Sequence, residues 1–240
     1  MITPKDYLEK GYNITPCGNY IFNTKTNKKE WNEKAPRIKK WQTHTATLEE
    51  FTDKDNIGLK LDKTLDIDVD NKIAHNFITK YLKPCCSIFG RKSNLRSHFI
   101  FKGQAKHKKF ALHKDLDKWC EKFTHGSTLI ELRCGKDKQT IVPGSTVNNE
   151  KVEWSILEGI SPYDGDAYTD VAKIACATAL TILYPIAGKR DDYCYAIACL
   201  LVKGTNWSDS VIDQYVHDIA EAANDEEAHL RRDKGTHARK

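Results

Sequence analysis

The sequence predicts a mixed α/β (α+β) fold over its first two thirds, followed by a small all-helical domain. Three observations carry this. Apolar and polar residues alternate with period two in NIGLKLDKTLDIDVD (56–70), SHFIFKG (97–103) and STLIELRCG (127–135), the signature of half-buried strands. Helical spacing interrupts these runs in AHNFITKYLK (74–83) and HKDLDKWCEKF (113–123). Beyond SPYDGDAY (161–168) the strand signals vanish, and apolar residues recur at helical intervals from Thr169 to Leu183 and from Tyr193 to Val202. A boundary near residue 165 therefore separates residues 1–165 from a helical domain of residues 166–240.

The individual elements follow in order. GNYIF (18–22) reads as a strand, and NTKTNKKEWNEKAPRIKKW (23–41) as a polar connection. The long acidic strand comes next, then a helix that stops before Pro84. CCSIFGR (85–91) and SHFIFKG read as two strands joined by the polar turn RKSNLR (91–96). STLIELRCG and QTIVPG (139–144) read as a hairpin around GKDK (135–138), and VEWSIL (152–157) as a further strand. In the helical part, Ser208 or Asp209 is the expected N-cap before Val211, Ile212 and Tyr215. The tail HLRRDKGTHARK (229–240) reads as polar, basic and loose at its end.

Composition narrows the class. The 240 residues are 40% hydrophobic and 30% charged, enough for a real core, and no signal-peptide pattern opens the chain. The most apolar stretch, VAKIACATALTILYPIAG (171–188), carries Lys173 and Pro185 and is too short for a comfortable membrane span, so a cytoplasmic protein is expected. The eight cysteines contain no C-x-x-C pair. Cys176, Cys194 and Cys199 fit helical apolar faces, and a zinc site from Cys120, His125 and Cys134 is the less favoured alternative to free thiols. Thirty-eight Lys and Arg face 33 Asp and Glu, a mild excess. Its distribution is uneven, for residues 83–114 hold Lys83, Arg91, Lys92, Arg96, Lys102, Lys106, Lys108, Lys109 and Lys114 without one acid. Such a run is either a solvated surface or a phosphate-binding one.

The chemistry-bearing residues start on the acidic strand. Asp66, Asp68 and Asp70 alternate with Leu65, Ile67 and Val69, which places the three carboxylates on one face. Residues two apart on a strand are about 6.5–7 Å apart. Two charges at that distance repel by about 2.4 kcal/mol at an effective dielectric of 20, and by about 0.6 kcal/mol in water. An exposed face tolerates that, whereas a partly buried face needs a cation. Downstream, strand alternation separates His98 from the core-facing Phe99 and Phe101, and sets it beside Arg91, Lys92, Ser93 and Arg96, a constellation suited to polyphosphate. Glu131 and Arg133 share a face of the next strand, as a surface ion pair or as metal and phosphate contacts.

Together these residues resemble the primase–polymerase domains of the archaeo-eukaryotic primase superfamily, found in phage and plasmid replication proteins. DIDVD (66–70) resembles its D-x-D metal motif and RSHFIF (96–101) its histidine-bearing strand. IELR with QTIVPGS (130–145) resembles its third motif, and KAPRIKKWQTHTATLEEF (34–51) its lead-in. Order and spacing match over roughly residues 15–155. GKRDDYCYAIACLLVKG (188–204) and the basic tail resemble the small primase C-terminal domain that often follows, commonly with a helicase beyond it. The end at Lys240 then marks a fragment or a stand-alone primase.

The resemblance implies an RRM-like catalytic sheet and template-directed nucleotidyl transfer, as a DNA primase and polymerase. Asp66, Asp68 and Glu131 would hold two Mg²⁺ or Mn²⁺ ions about 3.5–4 Å apart. His98, with Arg91, Lys92, Ser93, Arg96, Ser97 and Arg133, would bind the nucleotide. Asp66 and Asp68 are the expected ligands, and Asp70 a solvated neighbour. Lys106, Lys108 and Lys109 would follow a single-stranded DNA template, and Tyr20 or Phe22 would contact the sugar. The competing readings are a metal-dependent nuclease using His98 as base, and a catalytically silent single-strand-binding replication domain.

Overall fold

The computed structural model describes residues 2–85, 87–113 and 128–239. Apart from His113, the predicted helix over 113–123, with Lys114 and Cys120, lies outside them, as does His125. The described residues fall into two compact units. The first draws on Met1–Val69, Lys83–Lys109 and Glu131–Tyr168, the second on Asp70–Leu82, Phe110–Ile130 and Thr169–Lys240.

The first unit opens with α1 (Pro4–Glu9), capped by Thr3, which exchanges hydrogen bonds with Asp6. Strands β1 (Ile14–Asn23) and β2 (Lys28–Pro36) then form a hairpin. The sequence reads residues 28–36 as a connection. They become a strand because Asn27 takes a left-handed φ of 54° at the turn and Trp31 lands opposite Tyr20. The central element is β3 (Asn56–Asp68), 13 residues long. Its first half pairs with β1, from Leu59↔Ile14 to Asn56↔Cys17. Its second half pairs with β5 (Asn94–Lys102), from Thr64↔Lys102 to Asp68↔His98. Along its other side runs β7 (Thr128–Ile141). The sheet continues from β5 through β4 (Ser87–Arg91) and β9 (Glu150–Leu157) to β8 (Thr146–Val147), and β6 (Lys108–Ala111) joins β7.

Two local expectations change here. GKDK does not turn the chain: Leu61 pairs with Gly135 and Lys60 with Gln139, so residues 136–138 bulge from one continuous strand. The acidic strand ends at Asp68, and Asp70 is exposed just beyond it, outside the alternation that unites Asp66 and Asp68. Ile14, Ile57, Leu59, Phe89, Ile100 and Val142 belong to one buried cluster. The PGS turn braces it, since Ser145 Oγ accepts the Ile57 N–H at 2.8 Å and the Pro143 carbonyl accepts the Tyr7 hydroxyl at 3.0 Å.

In the second unit α2 (His75–Tyr81), α3 (Ala167–Ile182), α4 (Arg190–Gly204) and α5 (Asp209–Ala222) are the main helices. Ser208 is the N-cap of α5, accepting from the Val211 N–H. Of the three helical cysteines only Cys194 is buried, while Cys176 is exposed. The tail differs from its expected looseness. Residues Ala228–Arg231 form a 3-10 turn and α6 (Lys234–Ala238) follows, because Arg231 is drawn inward, 4% exposed, onto Asp225.

Candidate active site

Register assembles the site. Asp68 stands opposite His98 on β5 and Glu131 on β7, while Asp66 stands opposite Ile100 and Arg133. Directly opposed residues of antiparallel strands point to the same face. Asp66, Asp68, His98, Glu131 and Arg133 therefore share one face of three adjacent strands. Leu65, Ile67, Phe99, Phe101 and Leu132 fill the other and are buried.

Asp66 is the centre. Its side chain is fully buried, with His98 Nδ1 at 3.1 and 3.2 Å from its two oxygens and Arg133 Nη1 at 3.2 Å from Oδ2. Burial pushes the Asp66 carboxyl up, but the charge and hydrogen bond of His98 and the charge of Arg133 outweigh it, so it titrates below the usual aspartate value. Conversely, burial pulls His98 down, while Asp66 and Asp68 together raise it above the ordinary histidine value. The imidazole is held flat against Phe89, centroids 4.6 Å apart at 14°. Arg133 is fixed from behind, donating to the Gln139 carbonyl at 2.6 Å and to Thr140 Oγ1 at 3.3 Å.

The outer rim is more open. Asp68 is 3.7 Å from His98 and 3.6 Å from Arg133. Glu131 has His107 Nε2 at 3.6 Å. His107 escapes sequence reasoning, as it is one residue within a lysine run; only the pairing of β6 with β7 brings it to Glu131. Thr140 and Phe89 escape it likewise, the one hidden in a motif, the other in a core strand.

The basic hairpin is arranged unevenly. Gly90 lets the β4–β5 backbones close, since a Cβ there would stand 2.4 Å from the Asn94 carbonyl oxygen. Past that pinch, Arg96 takes φ 57° and is exposed, as are Lys92 and Ser93. Ser93 is tied down, its N–H and hydroxyl donating to Glu150 at 3.0 and 2.7 Å. Ser97 is buried, and alternation aims it away from the face of His98. Lys108 and Lys109 lie on β6, and Cys134 Sγ contacts the Ala105 carbonyl.

Asp66, Asp68 and Glu131 offer hard oxygen donors on one face, and the Arg133 guanidinium stands beside both Asp66 and Asp68 as a positive charge. Among the described residues, the one group of three or more such side chains whose ligand atoms all lie within 4.8 Å of one another is His217, Asp218 and Glu221, in the helical unit. There the Lys80 ammonium sits 2.7 Å from Asp218 and 2.6 Å from Glu221.

The α+β sheet thus carries a carboxylate–imidazole–guanidinium centre beside a basic hairpin. A family model described as the N-terminal domain of bifunctional DNA primase/polymerase matches residues 4–163, and the chain belongs to that family. The family is metal-dependent, and its membership implies DNA and nucleotide binding and nucleotidyltransferase activity in general. Comparison with curated proteins and with solved structures found no match. Among the described residues no helix is long and apolar enough to cross a membrane.

Proposed function

We propose that the chain performs template-directed nucleotidyl transfer, synthesising and extending primers in DNA replication. Residues 1–165 are the catalytic domain, and residues 166–240 a helical domain that supports template or initiating nucleotide. The observation that carries this reading is the register that sets His98, Asp68 and Glu131 in one row, with Asp66 and Arg133 in the next.

In this reading Asp66, Asp68 and Glu131 hold Mg²⁺ or Mn²⁺. Such ions, when bound, supply the charge that acidifies a primer 3′-hydroxyl and offsets charge on departing pyrophosphate. The chain's own residues do the rest. Arg133 and His98 keep Asp66 ionised in a buried position. With Nδ1 on Asp66, His98 keeps its Nε2–H for a phosphate oxygen of the incoming nucleotide. Arg91, Lys92 and Arg96 extend that anion site along the hairpin, whose turn Ser93 pins through Glu150. Single-stranded DNA and nucleoside triphosphates are the substrates, a replicative helicase the expected partner, and the cytoplasm the expected location.

The test supplies single-stranded template, labelled nucleotides and Mg²⁺ or Mn²⁺, with and without primer. Metal-dependent product that vanishes in Asp66→Asn/Asp68→Asn is the expected result. Template degradation without synthesis would instead identify a nuclease, and DNA binding without metal-dependent chemistry an accessory domain.

A further inference from the structure

Pairing of β1 with β3 stops at Cys17↔Asn56, whereas its pairing with β2 runs on from Asn19↔Asn32 to Asn23↔Lys28. The far end of this hairpin is thus a two-stranded ribbon, a form only marginally stable in water. Its register sets Tyr20 opposite Trp31 and Phe22 opposite Lys29, so three rings and an ammonium share one face. These rings are 63%, 53% and 57% exposed for Tyr20, Trp31 and Phe22. Scattered exposed apolar residues need no explanation, but a contiguous aromatic face calls for a partner.

The ribbon is built to present that face. Tyr20 and Trp31 meet edge to face, centroids 5.3 Å apart at 69°. The Trp31 ring lies over Gly18, where φ is +124° and a Cβ would come within 3.0 Å of the indole. Across the ribbon the polar groups satisfy one another: Glu30 accepts from the Asn23 amide at 2.6 Å and from the Thr26 hydroxyl at 2.5 Å. Glu33 accepts the Asn148 N–H at 2.7 Å. Both acids are thereby engaged, while Lys25, Lys28, Lys29 and Lys34 are exposed and, among the described residues, form no ion pair with an acid. Lys29 shares the aromatic face and Lys25 lies in the turn at its end, whereas Lys28 and Lys34 alternate to the reverse; rings flanked by such unneutralised ammonium groups are complementary to a polyanion that also offers flat apolar surfaces.

We propose that the ribbon of residues 19–32 is a stacking platform for single-stranded nucleic acid, with bases on Tyr20, Phe22 and Trp31 and phosphates on Lys25 and Lys29. Duplex bases hide their faces, so the occupant is single-stranded, and ring stacking makes the contact tolerant of sequence. The platform deepens the template-binding reading above and rests on it for the role of the strand. It also assigns Tyr20 and Phe22 to bases rather than to the sugar of the incoming nucleotide.

The test measures fluorescence anisotropy of a labelled 20-mer oligothymidylate, and of an abasic strand of equal length, with the full chain. Tyr20→Ala/Phe22→Ala/Trp31→Ala is expected to weaken oligothymidylate binding by about tenfold or more, and abasic binding by less than about twofold. Tyr20→Phe/Trp31→Phe should retain binding, and Lys25→Gln/Lys29→Gln should weaken both strands and flatten the salt dependence. Equal affinity of wild type and the alanine variant, with unchanged circular dichroism, would overturn the platform. So would aromatic-dependent self-association without any change in DNA affinity, which would make a second copy the occupant. The two proposals fail separately. Wild type that makes no product yet binds through the ribbon defeats only the polymerase reading; active wild type whose alanine variant binds DNA equally well defeats only the platform.

Discussion

Asp66 on β3 and Asp225 just beyond α5 pose the same electrostatic problem and meet different ends. Each is a buried carboxylate between two cations: His98 and Arg133 for Asp66, Arg190 and Arg231 for Asp225. Each also titrates below the usual aspartate value. Around Asp225 the network closes. Tyr184 donates to it at 2.7 Å, and Arg231, its side chain 5% exposed, spends its remaining N–H groups on Asp191 and Glu227. Around Asp66 the network opens, because both cations are shared with Asp68, and their side chains are 19% and 22% exposed. A closed network locks a helical unit together. An open one shares its cations between two carboxylates, at the cost of holding like charges close.

Substitutions can break this contrast. The largest expected effect is on chemistry: Asp66→Asn/Asp68→Asn should lower nucleotidyl transfer by about 10³-fold or more, as loss of several kcal/mol of charge stabilisation requires. Circular dichroism should show the protein still folded, since His98 and Arg133 can rehydrate. The next largest is on stability. Arg231→Ala strands Asp225 and should cost about 3–5 kcal/mol, read by chemical denaturation of the full chain. An unchanged midpoint would show that Arg190 alone suffices.

A finer test adjusts the open site. Arg133→Gln removes the guanidinium beside Asp66 and Asp68, whose repulsion of a second cation is about 1 kcal/mol in a well-solvated setting. Mn²⁺ affinity measured by calorimetry should tighten about fivefold; weakening would mean that Arg133 chiefly positions the carboxylates.

The smallest effect is the slope of stability with pH. Burial pushes the Asp225 carboxyl up, but hydrogen bonds from Tyr184 and the Glu227 N–H and the charge of Arg231 carry it below its ordinary 3.8. A depressed carboxylate stabilises the fold fully above its unfolded value and loses that contribution as pH falls through the folded one. Thermal midpoints should therefore fall on acidification below about pH 4, and less steeply in Asp225→Asn.

Much of the candidate site is legible before folding, because strand alternation is a local property. Asp66 with Asp68, and Glu131 with Arg133, could be paired on faces from period two alone, and Phe99 with Phe101 assigned to the core. His107 could not, since its approach to Glu131 needs the non-local pairing of β6 with β7. Nor could the fate of GKDK, where a turn-like composition is overridden by β7 continuing along β3. The charged tail is a similar case: Arg231 looks solvated until Asp225 offers it a buried partner.

By itself, then, the sequence determined the class of the fold, the alternation that aims each carboxylate, and the motif order that marks the primase/polymerase family. These rest on periodicity and covalent spacing, which operate over a few residues. Tertiary structure alone decided which face meets which. The registers of β3 with β5 and β7 turned separate charged stretches into one centre, and the early end of β1–β3 pairing left Tyr20, Phe22 and Trp31 on a free ribbon. Both outcomes depend on hydrogen-bond pairing between strands far apart in the chain, which no local pattern encodes.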